Sequence, residues 1–257
     1  MKIDLKEAFT FVFKDERWIP KVLIAAGLAF GAAIISGIIK FTLMTTYHID
    51  MHDSLNALKM SLPGLIITLP ISILIYGYLI DLSHNLINNI EPKLPGWSDN
   101  WGKFFLNGLK GYGVSIIYGI AIGIFYAFMC IPLCFKHDPV TIAIVLILFL
   151  VSLLIFIAFT LVAFNSYAED YSFGNALNIK RVWQIFTKSY PYLILILLAK
   201  IVVVILALAI LIISCIGILL IPVAMFISSL ISMNLYAQVY KGALAEINNS
   251  QIPQEQA

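Results

Sequence analysis

The sequence predicts an all-α fold, a polytopic membrane helical bundle of about six transmembrane helices with cytoplasmic interfacial amphipathic helices. The first observation is composition: the 257 residues are 61% hydrophobic and 12% charged, whereas about a quarter of a soluble domain is charged. The second is clustering, since the apolar residues form blocks of roughly 20 or more, the length at which a helix crosses a hydrocarbon core. Lipid is therefore expected to be the solvent for most of the chain.

Each apolar run is expected to form one transmembrane span. The last two are separated only by Ser214–Gly217, which we interpret as a tight hairpin, because the surrounding apolar stretch is long enough for two spans. Acidic residues before the first run and the lack of a cleavage site after it argue against a cleaved signal peptide. The six predicted spans lie near residues 21–39, 61–80, 113–135, 139–163, 190–213 and 217–240.

The positive charges predict the orientation. Of the 16 Lys and Arg residues, twelve fall in segments on the side that holds both termini, and one, Lys200, lies within a span. The other side holds only Lys40, Lys59 and Lys136. Because Lys and Arg are retained on the cytoplasmic side, we expect both termini in the cytoplasm and the chain in the cytoplasmic membrane of the cell.

Basic amphipathic stretches precede the first, third and fifth spans, near residues 8–14, 104–110 and 182–188. Their apolar residues share one helical face and a lysine ends each stretch, a pattern typical of helices that lie on anionic headgroups. The alternative is that any segment beside a membrane is enriched in aromatic residues and lysine.

This pattern suggests a division of the chain. Residues 1–241 are expected to form a single transmembrane domain, which could be three units of one amphipathic helix and one hairpin. Residues 242–257 are polar and are expected to form a disordered tail. The three units would be residues 1–80, 81–163 and 164–241.

Lys200 is the one ionisable residue well inside an apolar run. It follows Tyr190 by ten residues, which puts it ~15 Å deep in a core of ~30 Å. A lysine at that depth costs roughly 2.5 to 3.5 kcal/mol on insertion scales. The interpretation that we favour is that the fifth helix begins earlier, near Trp183, and the ammonium snorkels to the cytoplasmic boundary. The functional alternative is a contact with an anionic lipid headgroup, a substrate carboxylate or a phosphate.

Weak candidate metal ligands lie on the opposite side, at His48, His52 and His137. The first two are four residues apart, so on a helix both imidazoles would point the same way, as zinc or copper requires. Ordinary polar loop residues explain the pattern better, and no metal or other cofactor is assigned.

Glycines four residues apart, Gly27 with Gly31 and Gly119 with Gly123, allow helices to approach closely. Packing within the bundle is the expected use, and a dimer face is the alternative.

No catalytic motif of a hydrolase, metalloprotease or nucleotide-binding enzyme is present in the sequence. We therefore expect no enzymatic activity. The net charge of +2 and the lack of a basic aromatic patch argue against nucleic acid as a partner.

A Gly-Tyr pair at Gly77–Tyr78 is followed by Leu94-Pro95-Gly96-Trp97 and then by Gly108. This order resembles the domain of unknown function 4013 proteins, an uncharacterised family of small archaeal and bacterial membrane proteins. Pro222 in the last run and the aromatic stretch after it look similar to the family's ending. The resemblance implies a multi-pass membrane protein and implies no activity, substrate or catalytic residue.

The loop after the second span reads as a turn that places aromatic side chains at the membrane surface. We predict an interfacial anchoring loop at Leu94, Pro95, Trp97 and Trp101, with peptide docking as an alternative. The sequence thus favours a non-enzymatic membrane scaffold that interacts with membrane lipids, and with a membrane-protein partner or further copies of itself. A small permease for an anionic or amphipathic solute is the alternative.

Overall fold

The computed structural model describes residues 3–47, 54–90, 93–98, 100–135, 138–213 and 217–251. In this part of the chain all regular secondary structure is α-helical, in eight helices. They are α1 (Leu5–Lys14), α2 (Trp18–Tyr47), α3 (Ser54–Ile87), α4 (Trp101–Phe135), α5 (Pro139–Asp170), α6 (Phe173–Leu177), α7 (Ile179–Ile213) and α8 (Gly217–Gln251).

Six of these helices are long and apolar enough to cross a membrane, which confirms the predicted all-α bundle of six spans in a multi-pass membrane protein. They run from 30 residues in α2 to 35 in α4, α7 and α8, or about 45 to 52 Å at 1.5 Å per residue. A hydrocarbon core is only ~30 Å thick. The helices therefore continue beyond the apolar runs that the sequence marks.

The six long helices form a ring in which α2, α3, α4, α5, α7 and α8 follow one another and α8 closes on α2. Helix α3 also contacts α5 and α8 across the ring. Helix α1 and the C-terminal part of α8 lie at one end of the bundle, together with α6 and the described part of the α3–α4 connection. We call this the terminal end, and the end where α2 meets α3, α4 meets α5 and α7 meets α8 the opposite end.

The buried core lies in the terminal half of the bundle. The largest fully buried side chains there include Tyr78, Phe104, Tyr167 and Tyr240. In the opposite half, by contrast, none of the side chains described in 119–131 and 138–157 of α4 and α5 is buried. The exposed apolar residues of that half are therefore expected to contact lipid.

The closest helix crossing is between α3 and α4, and it depends on two glycines. A Cβ on Gly77 would overlap the carbonyl oxygen of Phe104, and a Cβ on Gly108 would overlap that of Ile73. The predicted use of Gly27, Gly31, Gly119 and Gly123 in internal packing was wrong, because no described atom lies within 4 Å of a Cβ at any of them.

Only the first of the three predicted amphipathic helices is a separate helix. Asp4 caps α1 by accepting a hydrogen bond from the Glu7 N–H (2.8 Å), and the buried face of α1 is Ala8, Phe11 and Val12. The stretches 104–110 and 182–188 are instead the first turns of α4 and α7.

These two stretches bury Phe104, Val182 and Phe186 inside the protein. Part of each apolar face therefore meets other helices, whereas Phe105, Leu109 and Trp183 stay exposed. The expectation of separate interfacial helices was wrong for both stretches.

The predicted polar tail is largely a continuation of α8. Residues 242–251 are helical, so the expectation of disorder was wrong for them, and residues 252–257 lie outside the described residues. Residues 214–216 of the predicted tight hairpin also lie outside the described part. The division into three units stays a prediction.

Candidate functional site

Lys200 lies in α7, within the span Ile179–Ile205. It precedes Ile213, the last residue of α7, by 13 positions, or about 20 Å along the axis. Across a core of ~30 Å, this puts Lys200 about 10 Å from the terminal-end boundary. Helix α7 begins at Ile179, which meets the condition set for the snorkelling interpretation. Lys200 makes no ion pair or hydrogen bond with any described residue.

Lys200 lines an apolar groove of about 740 Å³ between α7 and α8. Its walls come from the facing sides of the two helices, for example Ile196 and Val203 on α7 and Ile227 and Ile231 on α8. Towards the opposite end the groove meets a smaller recess of about 50 Å³, with which it shares Val203, Ala224 and Ser228. The result is an apolar trough that runs along the helices.

Lys200 supplies the one charge among the described groove residues. The other polar atoms come mainly from Ser228 and Ser232, and the Ser232 hydroxyl donates to the carbonyl oxygen of Ser228 (2.7 Å). That hydroxyl is therefore already satisfied within α8. An ammonium beside an apolar trough remains available for an acidic group.

Helix α1 closes the terminal end of the groove through Ile3, Leu5 and Phe9. Its N-terminus is tied to α8 by two hydrogen bonds: the Asp4 N–H donates to Oε1 of Gln238 (2.7 Å), and Nε2 of Gln238 donates to the Asp4 carbonyl (3.2 Å). The groove thus has two transmembrane walls and one cover that lies outside the six spans. Its volume is in the range of sites that hold a small organic ligand.

A second polar region links the helices at the terminal end. The buried carboxylate of Asp81 on α3 pairs with Lys103 on α4 and accepts a hydrogen bond from the Tyr171 hydroxyl at the end of α5. Tyr171 has φ 58°, a left-handed residue that ends α5. Burial, and the hydrogen bond that it donates to Asp81, raise the pKa of Tyr171. It therefore remains a proton donor, and the cluster ties three helices together.

A neighbouring pair extends this network to α7 and α8. Glu169 accepts hydrogen bonds from Arg181 and from the Tyr240 hydroxyl (2.8 Å), and that hydroxyl also lies 3.1 Å from Oγ of Ser166. Each carboxylate of the network is paired with a cation, so the network joins the helices to one another. It offers no free nucleophile or base.

The segment Leu94–Trp97 lies inside the protein. Of the four residues predicted to anchor at the membrane surface, the prediction was therefore wrong for all but Trp101. Leu94, Pro95 and Trp97 are buried. The Trp97 ring stacks on Tyr78 at 4.5 Å, and its Nε1 donates to the Lys21 carbonyl (2.9 Å). Trp101 is 40% exposed, and membrane anchoring stays a prediction for it.

Asp15 fixes this segment against the start of α2. Its carboxylate accepts hydrogen bonds from Lys21 (2.7 Å) and from the backbone N–H groups of Arg17 (2.8 Å) and Leu94 (3.0 Å). Burial acts to raise the pKa of Asp15, but the Lys21 charge and these hydrogen bonds outweigh it, so the pKa lies below its ordinary value of 3.8. The segment is held by an ion pair as well as by stacking.

The three candidate metal ligands, His48, His52 and His137, lie outside the described residues. No group of three or more His, Cys, Asp or Glu side chains that could hold a metal ion exists in the described part of the chain. Asp138, the residue after His137, caps α5 by accepting a hydrogen bond from the Thr141 N–H (2.9 Å).

Lys200 was predictable from the sequence, but the residues around it and the polar network were not. The groove needs α1 to meet α8, a contact between the first and last helices that no local pattern reveals. Glu169 follows the apolar run 139–163 and Tyr240 ends the run 217–240, so a helical spacing that continues past the runs is a signal that could have located the network.

A comparison with protein-family models matches residues 62–232 to a family described as protein of unknown function (DUF4013). The chain belongs to the DUF4013 family. The matched region of this DUF4013 protein runs from α3 into α8 and contains Gly77, Asp81, Gly108 and Lys200. Helix α1, which covers the groove, lies outside it. No curated protein and no solved structure matches the chain.

Proposed function

We propose that this protein is a non-enzymatic lipid-binding protein of the cytoplasmic membrane, with its groove between α7 and α8 as the binding site. The observation behind the proposal is the position of Lys200, an unpaired ammonium beside an apolar trough of about 740 Å³. An unpaired charge at membrane depth is unfavourable, and an acidic ligand would remove that penalty.

The ligand class follows from the walls of the groove. Apolar side chains on α7 and α8 fit an acyl chain, and Lys200 fits one phosphate or carboxylate. Such an anionic amphiphile could be a membrane phospholipid or a free fatty acid, which share an acidic group next to a long apolar chain. The groove lies between neighbouring helices of the ring, so the ligand would enter sideways from the bilayer.

Orientation and partners are part of the same proposal. The twelve Lys and Arg residues on the terminal side support a cytoplasmic terminal end, where anionic lipid headgroups are common. Gly27 and Gly31 have open space around them, which leaves that side of α2 free for a membrane partner or a second copy. No nucleic acid is expected to bind.

The permease alternative has less support. A route for a solute needs polar groups along the whole membrane depth, whereas the described network of Asp81, Glu169 and their partners lies in the terminal half. The apolar walls of the opposite half favour a site that holds a lipid over one that passes a solute. An enzyme would need a reactive group in the groove, where the described polar residues are Lys200, Tyr192, Ser228 and Ser232.

The experiment is native mass spectrometry of the full chain with phosphatidylglycerol in one arm and oleate in the other. Lys200→Met should lower occupancy by about tenfold, since a charge-assisted contact contributes roughly 1.5 to 3 kcal/mol. Lys200→Arg should retain the ligand. Lys188→Met is the matched control, because Lys188 is an exposed lysine on the same helix away from the groove.

The two arms also identify the source of the ligand. If Lys200→Met lowers the occupancy of phosphatidylglycerol, the ligand is a phospholipid. If it lowers the occupancy of oleate, the ligand is a fatty acid. Equal occupancy for Lys200→Met and Lys188→Met in both arms contradicts the proposal.

A further inference from the structure

We propose that the protein has a second lipid site, a polar cavity beside α1 that binds a headgroup containing both a phosphate and a primary ammonium, as in phosphatidylethanolamine. The phosphate would lie at Lys241 and the ammonium at Glu7. This site goes beyond the proposed function, because its headgroup contacts do not involve Lys200 or any residue that lines the groove.

The cavity has a volume of about 200 Å³ and lies where α1, α3 and α8 meet. It shares no residue with the groove, since it uses the side of α8 that faces α3 whereas the groove uses the side that faces α7. Helix α1 separates the two. The polar residues that line the cavity are Glu7, Asn85, Asn89, Asn234, Gln238 and Lys241.

Two amide side chains in the cavity have unused hydrogen-bonding groups. Asn234 is 3% exposed, and its Oδ1 accepts from Nε2 of Gln238 (2.6 Å), but its Nδ2 donates to no described residue. The side-chain amide of Asn85 has no described partner. Asn85 is half-buried, and neither amide is among the described polar atoms that are buried without a partner, so both can reach a ligand from the cavity. A ligand with several oxygens, such as a phosphate ester, would satisfy them.

The charges of the cavity favour a zwitterion. Lys241 donates to the side chain of Asn89 and to the Leu86 carbonyl (3.4 Å), which leaves one of its three donors for a ligand. The Glu7 carboxylate has no cationic partner among the described residues. One free cation donor and one free carboxylate thus face the same small space. A ligand with a single sign of charge would leave one of them unpaired.

The surroundings of the cavity suit a membrane lipid. Lys241 and Gln238 lie in the polar part of α8 at the terminal end, where headgroups are expected. A wider recess of about 820 Å³ borders Glu7, Gln238 and Lys241 and extends to Ile3 and Leu5. Ile3, just before α1, and Leu5, the first residue of α1, also line the groove, and they give the acyl chains a surface on leaving the headgroup. The cavity with its recess therefore resembles a site for a whole phospholipid.

The size of the ammonium gives a sharp test. A primary ammonium can donate hydrogen bonds to Glu7, whereas the trimethylammonium of phosphatidylcholine is bulkier and donates none. The full chain in detergent is titrated with the two phospholipids, matched in acyl chains, and bound lipid is counted by native mass spectrometry. We expect about tenfold preference for phosphatidylethanolamine, the effect of one charge-assisted contact.

Glu7→Gln should abolish this preference, because it removes the carboxylate but keeps the backbone N–H that Asp4 caps. Glu16→Gln is the matched control, an exposed acid at the same end that does not line the cavity. Lys200→Met should keep the preference for phosphatidylethanolamine. A result against the second site can therefore be told apart from a result against lipid binding in the groove. Equal binding of the two lipids to the unchanged protein, or an unchanged preference in Glu7→Gln, overturns the second site.

A parallel arm uses soluble phosphoethanolamine. Binding in this arm that Glu7→Gln abolishes supports the same chemistry with a free small molecule as its source. If Glu7→Gln changes binding only in the phospholipid arm, the ligand is a phospholipid. No effect of Glu7→Gln in either arm overturns the site.

Discussion

The two halves of the bundle differ in how their helices are held together. In the terminal half, backbone crossings at Gly77 and Gly108 and the ion pairs of Asp81 and Glu169 join neighbouring helices directly. In the opposite half, the described parts of α4 and α5 bury no side chain between 119 and 131 or between 138 and 157. The terminal half is therefore the more densely packed part, and lipid is expected to cover the exposed apolar faces of α4 and α5 in the opposite half.

This contrast also explains where the candidate site lies. The groove begins under α1 in the terminal half and extends along Val203 and Ala224 towards the opposite half. A lipid bound in the groove, as we propose, would have its polar end in the well-packed half and its apolar end in the half with fewer buried side chains. Sites of this kind bind an amphiphile without needing a closed pocket.

The largest expected effect is at the helix crossing. In Gly77→Ala the new methyl group would overlap the Phe104 carbonyl, which is backbone and cannot move aside. We expect a loss of more than about 3 kcal/mol, above the usual range for overpacking, and little folded protein by size-exclusion chromatography.

Gly123→Ala on α4 is the matched control from the opposite half, where no described atom lies within 4 Å of the new Cβ. It should leave the elution profile and the melting temperature unchanged. Equal tolerance of both substitutions would contradict the contrast between the halves.

The next largest effect is expected at Trp97. Replacing it by alanine removes the stack on Tyr78 and the hydrogen bond to Lys21, and we expect a loss of about 3 to 5 kcal/mol, as for other buried aromatic residues. The measurement is thermal unfolding in detergent.

Trp101→Ala separates packing from membrane anchoring, because Trp101 is 40% exposed. Because the Trp101 ring also contacts the Trp97 ring (5.1 Å between centroids), the substitution should lower stability in detergent by only about 1 kcal/mol. A larger loss for Trp101→Ala than for Trp97→Ala would restore the surface-anchor interpretation of the whole segment.

The error at Trp97 shows what the sequence could and could not predict. The apolar runs predicted all six spans, because run length and lipid thickness are local properties. Whether Trp97 faces headgroups or Tyr78 depends on how α3 and α4 cross, and a tryptophan suits both environments. The same limit applies to glycine, since Gly27 and Gly31 fit a packing motif that has no described partner.

Lys200 was predictable as an intramembrane charge because lysine is rare inside an apolar run. Its groove was not, because two of the three elements that form it, α1 and α8, are far apart in the chain. The network around Glu169 was hidden for another reason. The helices continue there past their apolar runs. Hydropathy does not detect the polar turns of a helix that lie outside the membrane.

The smallest expected effect is a pH dependence at Asp15. Because its pKa in the folded protein lies below 3.8, the carboxylate stabilises the fold above about pH 4 and this contribution is lost as the pH falls through the lowered pKa. Asp15→Asn should lower the melting temperature at pH 7, and the difference from the unchanged protein should shrink below about pH 4. A difference that stays constant from pH 7 to pH 3 would show that the Asp15 charge does not stabilise the segment.

The most direct test of a lipid in the groove is photolabelling with an anionic phospholipid that carries a diazirine on its acyl chain, mapped by peptide mass spectrometry on the full chain. The account predicts labels concentrated on the groove sides of α7 and α8, near Ile196, Val203 and Ile227, and reduced in Lys200→Met. Labels spread evenly over the exposed faces of α4 and α5, and unchanged in Lys200→Met, would contradict it.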